Sequence, residues 1–108
     1  MRVMKASRHE PVMKIQEHTM NEEVEIALAC EIQRLAIEIS HSEIAHVFVD
    51  YAGHVDSLNV YARAIGAEYG APHLLNHYVY LRSADTVTAL NQVIIDLKAL
   101  RDGERNTP

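Results

Sequence analysis

Cysteine is almost absent from this chain of 108 residues: Cys30 stands alone, so no intramolecular disulfide can form, and no C-x-x-C or zinc-finger spacing occurs. Long apolar runs are missing too. None approaches the roughly 20 residues that would span a bilayer, and the first twenty residues lack the apolar stretch of a secretory signal. These absences point to a cytoplasmic protein that makes no use of a membrane. Phosphate-binding and nucleophile motifs are also lacking. The chain has no G-x-S-x-G, no P-loop and no G-x-G-x-x-G, and Gly66-x-x-x-Gly70 is not followed by Gly-Lys-Ser/Thr. No cofactor is expected.

Positive charge is scarce. The formal net charge is −5 with histidines neutral. Residues 1–20 carry +2, from Arg2, Lys5, Arg8 and Lys14 against Glu10 and Glu17, and the remainder carries −7. An acidic domain repels phosphate backbones, so nucleic acid is an unlikely partner except through the basic N-terminal arm. What the chain does have is globular composition, 48% apolar and 23% charged, at a length suited to one domain.

Residues 1–18, interrupted by Pro11 and without sustained period, read as a flexible arm, with a short strand over 12–15 as an alternative. Residues 19–103 form a single α+β domain and 104–108 a frayed tail. Helix one is expected from Thr19 or Asn21, where Thr19-x-x-Glu22 fits a capping box, to about His41. Its apolar stripe is Val24, Leu28, Ile32, Leu35 and Ile39, widened by Ile26, Cys30 and Ile37, which makes Cys30 a core thiol.

Residues 44–62 read as a β-hairpin around a two-residue turn at Gly53-His54. That turn pairs Tyr51 with Asp56, Val49 with Leu58, Val47 with Val60 and Ala45 with Ala62, collecting the aliphatic residues on one face. A loop over 64–76 leads to a third strand, 77–81, and a last helix runs from about Ala84 to Arg101. That helix has Ser83 as N-cap, Gly103 as its stop, and a stripe of Val87, Leu90, Ile94, Leu97 and Leu100. The fold class is therefore α+β, ordered α-β-β-β-α: a three-stranded antiparallel sheet with two helices packed on one face.

That arrangement sends His46, Phe48, Tyr61, Tyr78 and Tyr80 to the other face of the sheet. Phe48 is the only phenylalanine. Aromatic patches of this kind favour protein contacts, either with a partner or with a second copy across a two-fold axis. The competing readings are a solvated sheet, cover by the arm or by the 64–76 loop, or one helix on each face of the sheet, which would make Phe48 and the tyrosines core. Few Lys or Arg accompany the rings, so base stacking on RNA is disfavoured. His73-x-x-x-His77 has zinc-site spacing, and His54 is the third weak candidate for a metal or acid/base site, but Pro72 precedes the pair and a strand follows it. Asp50, Tyr51, His54 and Asp56 cluster at the hairpin tip, where polar residues commonly serve solubility alone. Glu22, Glu23, Glu25, Glu31 and Glu38 give helix one an acidic surface, which a solvated face explains.

Residues 46–60, His-Val-Phe-Val-Asp-Tyr-Ala-Gly-His-Val-Asp-Ser-Leu-Asn-Val, carry the pattern F-V-x-Y-x-G-H-V-x-x-L-x-V after a helix and before a third strand and a helix. This resembles the hairpin of small uncharacterised proteins encoded by bacteriophages and prophages. The resemblance implies a phage or prophage setting, but brings no activity or functional residues with it. The resulting expectation is a non-enzymatic accessory protein, a homodimer or partner-binding module acting through the aromatic face. A small metal-dependent or acid/base enzyme using His54, His73 and His77 is the alternative, and a nucleic-acid-associated protein the third reading.

Overall fold

A computed structural model describes the backbone of residues 12–103 and the side chains of residues 21–103. Helix α1 spans Val12–His41, strand β1 Ala45–Ala52, strand β2 Ser57–Ala64, strand β3 Leu75–Tyr80 and helix α2 Thr86–Asp102. The strands form one antiparallel sheet in the order β1-β2-β3. The α-β-β-β-α order and α+β class expected from the sequence are those of the protein.

Helix α1 begins earlier than the capping signal suggested. Residues 12–18, Val-Met-Lys-Ile-Gln-Glu-His, hold neither Gly nor Pro and are rich in unbranched helix formers, so they are helical. Thr19 and Glu22 therefore lie inside it rather than at its cap. Of the arm expected over residues 1–18, residues 12–18 belong to this helix and residues 1–11 lie outside the described residues, as does the tail 104–108.

The inward stripe of α1 is Glu25, Ile32, Leu35, Ala36 and Ile39, with Leu28 and Ala29 packed at its edge. At about 100° per residue, Ile26, Cys30, Gln33 and Ile37 sit roughly 100–160° round from Ile32. They are exposed, and so is Val24. Cys30 is thus a surface thiol and not the core thiol expected, because it lies on the flank of α1 that the sheet does not cover. In α2 the buried set is Thr86, Leu90, Val93, Ile94, Leu97 and Leu100. Val93 takes the place assigned to Val87, which is exposed.

Both helices cover the same face of the sheet, α1 against β1 and α2 against β3. The core between the layers joins Ile32, Leu35 and Ile39 to Ala45, Leu58, Val60, Ala62, Leu75 and Val79, and to Leu90, Val93 and Leu97. His77 is on this face too, its Nε2 at 2.8 Å from Asp96 Oδ2, which ties β3 to α2.

The hairpin register differs by two residues from the expected one. Ala45 faces Ala64, Val47 faces Ala62, Val49 faces Val60 and Tyr51 faces Leu58. The loop is four residues, 53–56, and not a two-residue turn at Gly53-His54. Positive φ falls on Asp56 (53°) and not on Gly53, where a type II′ turn would need it. A slip of two leaves every side chain on its expected face, because strand faces alternate with period two.

Each helix junction has its own lock. At the end of α1, Glu43 is left-handed (φ 60°), Ile44 N–H donates to Ile39 O and Glu43 N–H donates to Ser40 O, a Schellman closure without glycine. At the start of α2, Asp85 is the N-cap residue but makes no side-chain cap bond. Instead buried Thr86 donates through Oγ1 to Tyr80 O at 2.8 Å and accepts Ser83 N–H at 2.9 Å. Gly103 closes α2 in the left-handed region as expected.

Two substitutions test these locks. Thr86→Val keeps the shape but leaves Ser83 N–H without its acceptor and Tyr80 O with only the longer 3.4 Å bond from Ser83 Oγ, and should cost about 1–3 kcal/mol in urea unfolding. Glu43→Gly relieves left-handed strain at the expense of unfolded-state entropy, and should raise stability by up to about 1 kcal/mol. An unchanged denaturation midpoint in either variant contradicts the corresponding lock.

Candidate functional site

The register brings the expected aromatic residues onto one face, opposite both helices. On β1 these are His46 and Phe48; on β2 Phe48 meets Tyr61 directly, and on β3 Tyr78 and Tyr80 stand across from Asn59 and Ser57. Phe48 is 39% exposed, Tyr78 55% and Tyr80 58%. Among the described residues neither helix reaches them, so the one-helix-per-face alternative does not apply.

The rings are organised. Phe48 and Tyr61 stack with centroids 4.8 Å apart and planes 9° from parallel. His73 continues the stack on Tyr61, at 4.8 Å and 27°. Tyr78 and Tyr80 meet edge to face at 5.1 Å, and Tyr78 OH accepts a hydrogen bond from Ser57 Oγ at 3.1 Å. Stacked and edge-to-face pairs each contribute about 0.5–1.5 kcal/mol beyond simple burial, so the face is preformed. His73 was not assigned to it from the sequence. It lies in the loop before β3, where strand alternation cannot place a side chain, and Pro72 was the only local signal. The loop is held against the strand by Arg63, whose guanidinium donates to Glu68 O at 2.8 Å.

The histidines proposed as weak metal candidates are not brought together. His73 lies on the aromatic face, His77 on the helix face beside Asp96, and His54 in the hairpin loop. That loop leaves β2 at Ser57, four residues or about 13 Å along the strand from Tyr61. Helical spacing at 73 and 77 has no meaning where the chain passes from loop to strand. No three His, Cys, Asp or Glu among the described residues cluster as metal ligands.

The hairpin tip is a structural lock. Tyr51 OH donates to Asp56 Oδ1 at 2.7 Å, Arg82 Nε donates to Asp56 Oδ2 at 2.8 Å, and Leu81 N–H donates to Asp56 O at 2.9 Å. These contacts hold Asp56 in its left-handed conformation. The bond from Tyr51, then that from Arg82, lowers the Asp56 carboxyl below its usual range, while the bond to Asp56 raises Tyr51 above its own. Both groups are pushed away from neutrality, the wrong direction for an acid/base pair at pH 7. Asp50 and His54 do not join them by any described bond.

Acidic residues of α1 serve the scaffold. Glu31 and Glu38 both hold Arg34, and Glu38 also meets Arg101 of α2 at 3.6 Å. Glu25, only 5% exposed, accepts Arg82 N–H through Oε1 at 3.0 Å. Among the described residues no helix is long and apolar enough to cross a membrane.

Comparison with known proteins adds no relative: no protein family, curated protein or solved structure matches this chain.

The tip lock has a pH signature. Asp56 has a lowered folded pKa, so its contribution is present above the ordinary carboxyl range and lost as pH falls through the lowered value, below about pH 4. Tyr51 has a raised one, so its contribution is present below the ordinary phenol range and lost as pH rises through the raised value, above about pH 10. The stability difference between the wild type and Tyr51→Phe should be flat between these limits and shrink beyond both. A difference that persists unchanged at pH 3, by urea unfolding, rules out the Asp56 carboxylate as its source.

Proposed function

We propose that this chain is a small non-enzymatic accessory protein of the cytoplasm that self-associates through the aromatic face of its sheet. The observation that carries the reading is the preformed stack Phe48–Tyr61–His73, flanked by Tyr78 and Tyr80, on the face that neither helix covers. A phage or prophage setting is the one that the hairpin's resemblance implies.

Energetics and charge support a second copy as the occupant. A tyrosine or phenylalanine passing from half exposed to buried withdraws on the order of 100 Å² of surface, about 2.5 kcal/mol per ring before the costs of association. The chain as a whole is acidic, yet this face carries one acid and one base, Asp50 and Arg63, one strand apart on β1 and β2. Two such faces can meet across a two-fold axis without an excess of like charge. Ring pairs already stacked lose little side-chain entropy on docking.

Sedimentation equilibrium provides the test. Wild-type protein should form a dimer, and Phe48→Asp with Tyr80→Asp should weaken it at least tenfold, about 1.4 kcal/mol, without loss of the circular dichroism of the fold. If wild type and double variant are equally monomeric, or equally dimeric, the reading fails.

A further inference from the structure

A second open region lies on the helix side of the sheet, beside β1. It is a groove of about 470 Å³ with Ile26, Cys30, Val49 and Leu58 in its walls. At Glu22 and Glu25 it adjoins a smaller hollow that these two residues also line. Its origin is a mismatch of widths. Three strands at about 4.8 Å spacing are about 14 Å wide, whereas two helices packed 8–10 Å apart are about 20 Å wide. The surplus is about one strand. It falls between α1 and β1, where α1 exposes Ile26 and Cys30.

Among the described residues no strand pairs with the outer edge of β1 at the same place. Val47 N–H donates to Ser40 Oγ at 3.0 Å, so it points away from β2. By alternation along the strand, the N–H and C=O of Val49 and Tyr51 point the same way, out from the sheet edge. Ser40 closes the first half of the edge. The second half, Val49 to Tyr51, faces the groove that both residues line. No Pro or Lys occurs in Ala45–Ala52 to block addition of a strand.

The charge of the groove is one-sided. Arg82 lines it, but its guanidinium is held by Asp56. Beside that pair stand the carboxylates of Glu22, which also attracts Arg82, and Glu25. Glu25 is nearly buried, and among the described residues its second oxygen, Oε2, has no donor.

We propose that this edge takes an extended segment of a partner protein as a fourth strand, pairing with Val49 and Tyr51. An apolar side chain of the segment enters the groove under α1, and a basic one reaches Glu22 and Glu25. Backbone hydrogen bonds give the affinity of such additions and the alternate side chains give the specificity. The site is on the other side of the sheet from the aromatic stack, so it stands or falls apart from self-association.

Cys30, the only cysteine of the chain, lies in the groove wall and reports occupancy of the full-length protein. The probe is the acetylated, amidated hexapeptide Val-Lys-Val-Lys-Val-Lys, with Val-Glu-Val-Glu-Val-Glu as its counterpart. The lysine peptide should slow modification of Cys30 by dithionitrobenzoate at least about fivefold, and the glutamate peptide should not. Val49→Pro removes an outward N–H that β2 does not use, and should abolish the protection with the circular dichroism retained. Glu22→Gln should raise several-fold the peptide concentration that halves the rate, with each variant scaled to its own rate without peptide. Absence of protection by the lysine peptide overturns the proposal, as does equal protection by both peptides. Protection that grows with protein concentration alone also overturns it, by assigning the groove to a second copy.

Discussion

Two helices side by side can blanket one face of a three-stranded sheet, and with only two helices in the described chain the other face has to be finished some other way. Everything distinctive about this molecule follows from that constraint. The covered face is aliphatic, closed by Ile32, Leu35 and Ile39 from α1 and by Leu90, Val93 and Leu97 from α2. The uncovered face is finished with rings that cover one another: Phe48 on Tyr61, His73 on Tyr61, Tyr78 against Tyr80. Mutual stacking removes part of the apolar surface from water without a third layer, and Ser57, itself buried, gives Tyr78 a hydrogen-bond partner.

Alternation made the faces legible in the sequence, and the same property hid the register. A strand shifted by two residues shows the same side chains to the same layer, so the aliphatic pattern accepts a Gly53-His54 turn and a 53–56 loop equally well. The choice between them is made at the tip. Asp56 can enter the left-handed region because Tyr51, Arg82 and the backbone of Leu81 all hold it there. Two of those partners are at the far end of β3, more than twenty residues on, beyond the reach of any local turn rule. The width of α1's stripe was misread for a related reason. Ile26, Cys30 and Ile37 are apolar at helical spacing, but whether a helix flank is buried depends on how far the sheet extends beneath it. Nothing local encodes the number of strands under a helix.

The junction between β3 and α2 shows how few groups fasten the two layers at this end. Arg82 sits left-handed between them, its side chain on Asp56 of the hairpin and its N–H on Glu25 of α1. One residue thereby links the sheet tip, the first helix and the start of the second. Thr86 adds the bond from α2 back to Tyr80. His73, like the residues of this junction, belongs to a connection, where side-chain direction follows from tertiary bonds and not from a period.

Strand β1 is the element that the two open surfaces share. Its even-numbered residues, His46, Phe48 and Asp50, face the aromatic side, whereas Val47, Val49 and Tyr51 face the helices, and the outward backbone groups belong to the odd-numbered set. One strand therefore presents rings to one side and an unpaired edge to the other. Among the described residues it is held laterally on one side only, by β2, apart from the Ser40 contact at Val47. Rigidity of the Phe48–Tyr61 stack accordingly depends on how firmly β1 is kept flat against β2, and pairing at Val49 and Tyr51 would hold it from the other side.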